Sequence, residues 1–477
     1  MSQSSSLPVD GQRVADDAAH RRAADISARI DRLPPSRSLW VLVVLLSLGG
    51  FFELYDLFQT AYISPGLVAD GIFAEGAAGV FGISDQASFA AATFLGLFIG
   101  ASLLTPYADR FGRRNVFIFA LIGYTLCTVL MGLQTSAIGV ILMRFLVGIG
   151  LGVELVTIDT YMSEILPKDM RSKAFAFGFF IMFSSVPTVA LLSWWLVPQA
   201  PFGVSGWRWV VFFSAVFALF VWWLRQALPE SPRWLAQHGR FDEAEAILRP
   251  IEARVAQETG RPLPAPEPEQ FELQPKGRFA DIWGPIYRKR TIMLIVFNIF
   301  QAIGFFGFGN WLPKLISGQG VSITHSLGYA FIITLAYPLG SLFCMKVTSR
   351  FENKWQIVLS ALFTVIFGTL FAFQSDPVLL TLCGVMITFS NAWLTYSYHG
   401  YQTELFPTYI RARAVGFCYS FSRLSTVFSS VLIGMFLESF GTPGVILFIV
   451  VSMLTVVFTI GLFGPLTRGL ALERINH

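Results

Sequence analysis

Glu164-Ile-Leu-Pro-Lys-Asp-Met-Arg171-Ser-Lys-Ala174 returns, 240 residues further on, as Glu404-Leu-Phe-Pro-Thr-Tyr-Ile-Arg411-Ala-Arg-Ala414. The same offset carries Asp109-Arg110-Phe-Gly-Arg113-Arg114 onto Ser349-Arg350-Phe-Glu-Asn-Lys354, where only the Arg and the Phe are kept. One offset shared by two separate motifs indicates a duplicated half-molecule. In a membrane protein, paired parallel halves commonly enclose a substrate path where they meet. Transport is therefore the first expectation.

Composition supports a membrane setting. Hydrophobic residues make up 54% of the chain and charged ones 13%, outside the range of ordinary soluble globules. Apolar stretches recur that are long enough to cross a hydrocarbon layer of roughly 30 Å. They fall at about 38–63, 86–106, 115–133, 138–162, 172–197, 208–228, 290–313, 325–346, 356–374, 378–402, 411–436 and 444–465. Twelve such stretches predict an all-α membrane protein, with 12 transmembrane helices in two six-helix pseudo-repeats.

Of the 34 Lys and Arg, only Arg208 and Lys314 fall in loops on the odd-numbered side, and Arg144 and Arg423 lie within spans. The others lie on the side that holds both ends, which predicts both termini cytoplasmic. The net charge of +4 then reflects topology and gives no reason to invoke nucleic acid. Residues 1–36 are polar and mildly amphipathic, unlike a cleavable signal, so span one acts as the insertion signal. Cys127, Cys344, Cys383 and Cys418 fall inside spans without metal-ligand spacing. Apolar packing is expected of them, with no disulfide framework and no metal or cofactor.

This reading divides the chain into a tail (1–37), a first bundle (38–228), a cytoplasmic linker with short helices (229–289), a second bundle (290–465) and a closing tail (466–477). Residues 26–32 read as a short amphipathic helix ahead of Pro34-Pro35. In the linker, residues 241–249 are helix-like, and the Pro/Glu-rich 262–275 reads as a solvated tether between the halves.

The loop Asp109-Arg110-Phe-Gly-Arg113-Arg114 resembles the signature loop of the major facilitator superfamily, with Thr105 and Tyr107 departing from that pattern. Arg144-Phe-Leu-Val-Gly148-Ile-Gly150-Leu-Gly152 is similar to the fourth-helix motif of those carriers, whose glycines permit close helix approach. Pro229-Glu230-Ser-Pro-Arg233-Trp-Leu235 matches the sugar-porter signature, and Pro465-Leu-Thr-Arg-Gly469-Leu-Ala-Leu-Glu473 resembles that branch's closing motif, with Leu466 in place of a Glu. Span seven has a single Gln301 where hexose carriers usually pair two glutamines. Its ending Asn310-Trp311-Leu312-Pro313 is similar to proton-coupled carriers of aromatic acids, nicotinate and related metabolites. The resemblance runs from about residue 26 to 473. It implies the major facilitator fold and alternating access in a bacterial inner membrane, by a carrier that acts as a monomer.

Charges within spans need a reason, since each costs a few kcal/mol. Glu53 and Asp56 lie three apart on one helix face, and helical rise puts Arg144 of span four at a similar depth to Asp56. Asp56 is the expected proton-binding carboxylate, with Arg144 tuning it and Glu53 as the alternative. Arg423 lies about 18 Å along span eleven, near mid-membrane. A carboxylate substrate would give it a planar bidentate partner; the competing reading pairs it with Glu53 or Asp56. Gln301, Asn298, Asn391, Trp393 and Tyr396 complete the expected substrate-binding set. The expected cytoplasmic gate comprises Asp109, Arg110, Arg113, Arg114, Glu164, Arg171, Glu230, Arg233, Arg350, Glu404 and Arg411, with Asp159, Glu164 and Arg171 forming inner-gate pairs with Arg110, Arg113 or Arg114, and Glu404, Arg411 and Arg350 mirroring them.

The leading expectation is proton-coupled import of a small organic acid. A sugar or polyol proton symporter is the alternative, favoured by Pro229–Leu235. A non-transporting membrane sensor would be expected to add a cytoplasmic domain. No nucleophile–base pair, metal spacing or phosphate-cradling loop suggests an enzyme.

Overall fold

The computed structural model describes residues 9–74, 79–104, 113–225, 228–266, 279–347, 351–406 and 408–467, with only the backbone described at some helix positions. Among them the chain is helical, without strands. A tail helix α1 (Val9–Asp31) is followed by α2 (Arg37–Ala69), α3 (Asp85–Ile99), α4 (Arg113–Gly132), α5 (Ala137–Ile165), α6 (Lys168–Phe183), α7 (Ser185–Leu196) and α8 (Gly206–Arg225). The short helices α9 (Pro232–Gln237) and α10 (Phe241–Thr259) then lead to α11 (Pro285–Gly309), α12 (Leu312–Ser317), α13 (Ile323–Thr334) and α14 (Ala336–Val347). Last come α15 (Asn353–Ala372), α16 (Pro377–Glu404) and α17 (Thr408–Phe463).

The duplication is visible in the helix ends: α4 and α15 start and finish 240 residues apart, and α5 and α16 start 240 apart. Among the described residues, seven helical segments are long and apolar enough to cross a membrane, and three shorter ones are apolar. Side chains such as Phe119, Leu126, Leu382 and Leu462 are exposed on these helices, as suits a lipid-facing surface.

Several expected spans are broken, and the breaks have one cause. Proline has no N–H with which to serve the carbonyl four residues earlier. Pro187, Pro313 and Pro338 would have served Phe183, Gly309 and Thr334, the very residues at which α6, α11 and α13 end. Spans five, seven and eight, expected as continuous helices, therefore each consist of two pieces. The last two expected spans are the two helical parts of α17, separated by a sharp kink at Gly441 (φ 64°), two residues before Pro443.

The glycines of α5 explain how it lies against α3. A Cβ on Gly148 would sit 2.4 Å from the Thr93 carbonyl oxygen, and one on Gly152 would sit 2.3 Å from that of Leu97. Reciprocally, Gly96 and Gly100 face the carbonyls of Phe145 and Ile149 at 2.2 and 2.1 Å. The two backbones touch, as small-residue interfaces allow. Between the halves, α3 packs on α17, α6 on α14 and α7 on α13.

The tail and linker are more structured than expected. The tail helix extends well before residue 26, and Ile26 and Ile30 pack with Trp234, Leu235, Ala244 and Leu248 in a small separate core. Glu252 of α10 accepts from Arg29 at 2.7 and 3.1 Å and from Arg32 at 2.6 Å. The helical part of the linker is thus a docking platform for the tail, while residues 267–278 lie outside the described residues.

Two predictions follow from this packing. Replacing Gly152 by Leu should cost at least about 1–3 kcal/mol through overpacking, read as a drop in Tm of the detergent-purified protein. Gly123→Ala, where a Cβ meets nothing within 4 Å, should leave Tm unchanged or higher. For Glu252, burial works to raise its pKa, but hydrogen bonds and charge from Arg29 and Arg32 outweigh it and hold the carboxyl below its ordinary value. Its contribution to docking is therefore complete above the unfolded pKa of about 4.3 and lost as pH falls through the lower folded value. The distance between spin labels at positions 21 and 249 should stay short at neutral pH and lengthen below about pH 4. Glu252→Gln should lengthen it already at pH 7; an unchanged distance would refute the assignment.

Candidate functional site

Among the described residues, buried charge inside the apolar helices gathers at two places. At the first, Arg144 of α5 has no exposure. Its Nε donates to Thr93 Oγ1 at 3.0 Å, and its Nη2 donates to Thr60 Oγ1 at 2.7 Å and to the main-chain carbonyl of Asp56. The Phe89 ring lies 5.5 Å from its guanidinium carbon. Asp56 and Glu53 are both buried on α2. Arg144 and Asp56 thus meet, but the arginine's hydrogen bond is to the Asp56 backbone, while the carboxylate accepts from Gln59 one turn on. Arg144 thus ties the Asp56 segment of α2 to α3 and α5.

At the second place, Arg423 of α17 is buried, with Nη2 donating to Tyr419 Oη at 2.9 Å. Its guanidinium carbon lies 5.0 Å from the Tyr419 ring centroid and 5.6 Å from that of Phe306. Nη1 has no hydrogen-bond partner among the described residues. The described contacts of Arg423 are thus to aromatic residues of its own half, in place of the alternative pairing with Glu53 or Asp56. Tyr419, four residues before Arg423 and so on the same helix face, was absent from the sequence-derived set although the spacing marks it.

An aromatic layer lies between the halves around this second place. Phe58 of α2 packs on Phe305 (6.1 Å) and Tyr337 (5.7 Å), Phe183 of α6 stacks on Tyr337 (5.3 Å), and Phe94 of α3 meets Phe306 (4.8 Å). Tyr396 contributes to it through Phe179 of α6 at 6.3 Å. Gln301 and Asn298 are buried on α11, with the Asn298 amide turned back to the Leu294 carbonyl at 2.9 Å. Asn391 accepts from Thr364, and the Trp393 indole N–H donates to Gln356 Oε1 at 3.1 Å between Phe343 and Phe363. These last two side chains are engaged inside the second bundle, away from Arg423's contacts.

At the end where the tail docks, the expected gate has an unforeseen centre. Asp31, at the end of α1, accepts from the Lys168 backbone N–H at 2.8 Å and from Arg171 at 3.4 Å, and forms an ion pair with Arg233 at 2.7 Å. An acidic side chain at the α6 N-terminus meets the positive end of that helix. Arg171 therefore pairs with the tail, while the side chains of the 109–114 loop lie outside the described residues. Glu230 accepts from the Ser231 N–H, and Ser231 caps α9 by accepting from Trp234. Glu404 faces Asn353 at 3.5 Å. Glu352, where the repeat has replaced Gly112, accepts from the Thr467 N–H at 2.9 Å. Glu164 is half-buried at the end of α5. Asp109, Arg110 and Arg350, and the side chains of Arg113, Arg114, Asp159 and Arg411, lie outside the described residues.

Comparison with known proteins gives this arrangement a family. The family described as "Sugar (and other) transporter" matches residues 42–477. Metabolite transport protein YyaJ of Bacillus subtilis (strain 168), a name carried there provisionally, is 32% identical over 92% of this chain and 95% of its own length. The niacin transporter NiaP of Acinetobacter baylyi is 25% identical, covering 95% of this chain and all of the relative. A gallate transporter of Pseudomonas putida is 26% identical over 87% of this chain and 89% of its own. In fold, the chain is similar to the partially occluded, inward-open xylose transporter XylE from E. coli, with a TM-score of 0.72, 19% identity and coverage of 91% and 99%. Matched from residue 42 to 477, the chain belongs to the sugar (and other) transporter family, and is a multi-pass, sugar-porter-like metabolite transporter of the major facilitator superfamily in a bacterial membrane.

Proposed function

We propose that this carrier imports a small aromatic carboxylate together with protons. The observation that carries the reading is Arg423: a buried guanidinium framed by two aromatic rings, with Nη1 unpartnered among the described residues. A buried cation of this kind calls for an anion, and a carboxylate fits its planar fork. Phe306 and Tyr419 suit a substrate with a ring. The names of the niacin and gallate transporters among the relatives fit this class.

In this reading the chain crosses the membrane twelve times with both termini cytoplasmic, the tail, bundles and linker follow the boundaries at 37, 228, 289 and 465, and a single copy suffices. Asp56 takes the proton, with Glu53 second in line. Arg144 fixes the Asp56 segment to α3 and α5 through Thr60, Thr93 and the backbone carbonyl. Protonation removes a charge from this buried site, and substrate neutralises Arg423; together the two events free the halves to rock. The Asp31 cluster with Arg171 and Arg233, and the Glu352–Thr467 contact, hold the inner side until they do.

A sugar or polyol proton symporter is the second reading, favoured by the Pro229–Leu235 signature and by the fold of the xylose transporter. Uptake by proteoliposomes under an imposed pH gradient separates the two. Labelled benzoate and nicotinate are expected to accumulate and xylose is not; the reverse would establish the sugar reading. Arg423→Lys should lower carboxylate affinity about tenfold or more, since the bidentate fork is lost, and an unchanged affinity would remove it from the site. Asp56→Asn should abolish gradient-driven accumulation yet leave substrate exchange; full accumulation would pass the proton to Glu53.

A further inference from the structure

His399 lies one turn beyond Thr395 on α16, and its Nδ1 is 2.7 Å from the Thr395 carbonyl oxygen. A carbonyl only accepts, so Nδ1 carries the hydrogen of this contact. In the neutral imidazole Nε2 is then left with a lone pair and no hydrogen. The ring is only partly covered and sits among aromatic neighbours: Tyr419 at 5.8 Å, Tyr398 at 4.3 Å and, from the other half, Phe179 at 5.6 Å. Tyr419 is also the residue that accepts from Arg423. The one tyrosine thus adjoins both the guanidinium that has a free Nη1 and an imidazole whose Nε2 can only accept.

We propose that His399 is a specificity-determining residue, which selects substrates bearing a hydrogen-bond donor on the ring, away from the carboxylate held by Arg423. The proposal rests on the carboxylate reading above and refines it. The chemical class is a hydroxylated aromatic carboxylate. Its phenolic O–H donates to Nε2 while its ring lies along Tyr419. A ring with no donor leaves the lone pair unmet, and a neutral pyridine nitrogen sets two lone pairs against each other. Sites built to bond a substrate hydroxyl discriminate strongly against analogues lacking it, because buried polar groups are left without partners. Phe179 approaches from the first bundle, so closure of the halves over the substrate would shield this hydrogen bond from water and sharpen the selection.

The test compares competitive inhibition of uptake by 4-hydroxybenzoate, benzoate and pyridine-3-carboxylate in proteoliposomes containing the full chain. For the unaltered carrier, 4-hydroxybenzoate should inhibit at a concentration about tenfold or more below that of benzoate, with the pyridine acid weakest. In His399→Phe the three should converge to within about twofold. His399→Gln, which keeps an acceptor oxygen, should retain part of the preference. A purely structural role would weaken all three compounds together and leave their ratios unmoved, which would overturn the assignment. So would an unaltered carrier that takes up carboxylates without preferring the hydroxylated one, a result independent of whether either variant folds. An unaltered carrier that takes up no carboxylate overturns the reading of Arg423 itself, and this proposal with it.

Discussion

The packing of the first bundle depends on burying Arg144 without leaving its charge unanswered. A guanidinium at mid-depth is costly, and the cost is offset only when its donors find acceptors. Two helices supply them for Nε and Nη2: Thr93 and the Phe89 ring from α3, and Thr60 and the Asp56 carbonyl from α2, while Nη1 has no hydrogen-bond partner among the described residues. None of these is in reach unless α3 and α5 touch backbone to backbone. The four glycines at 96, 100, 148 and 152 make that approach possible. The Arg-x-x-x-Gly spacing is therefore one device: the glycines close the gap, and the arginine uses it.

This device shows what the sequence made legible. The repeat located the helices closely, because duplicated backbones keep their lengths, and α4 and α15 still match end to end. Intramembrane charge was legible too, since Glu53, Asp56, Arg144 and Arg423 are conspicuous in apolar surroundings. The helix breaks were written in the chain but were not read: Pro187, Pro313 and Pro338 fix them by simple arithmetic. Less recoverable was the choice of partners. That Asp31, over a hundred residues away in sequence, would join Arg171 and Arg233 depends on where α1 docks. Such docking is set by long-range contacts such as Ile26 and Ile30 against Trp234 and Leu248. Likewise, that Trp393 would donate to Gln356 and Asn391 would accept from Thr364 is set by how α15 and α16 pack, which residue type does not show.

The two halves also diverge chemically where their backbones correspond. Phe183 occupies the repeat position of Arg423, and Val296 that of Asp56. Phe183 stacks on Tyr337 across the interface, so the position that carries charge in one half carries an apolar contact in the other. At the docking end, Glu352 replaces the glycine of the first copy and binds the Thr467 backbone. A duplicated scaffold has thus been fitted with two different kinds of site, and each half holds its own end by a different carboxylate, Asp31 or Glu352.

These sites are joined by continuous packing. Asp56 lies two residues from Phe58, whose ring meets Phe305 and Tyr337. Phe305 meets Phe306 at 4.9 Å, and Phe306 lies beneath the guanidinium of Arg423. Gly309, at the end of α11, leaves room for Phe58, since a Cβ there would come within 2.7 Å of it. In a close-packed interior, a ring that shifts must be followed by its neighbours. Movement of α11 against Arg423 is therefore transmitted to the segment of α2 that Arg144 holds. Spatial continuity alone does not measure coupling, but here the path is short and wholly aromatic. It also ends at the one point where α11 is broken, beside Asn310 and Pro313. A break at that place gives the helix a hinge just where the two buried charges come closest to sharing neighbours.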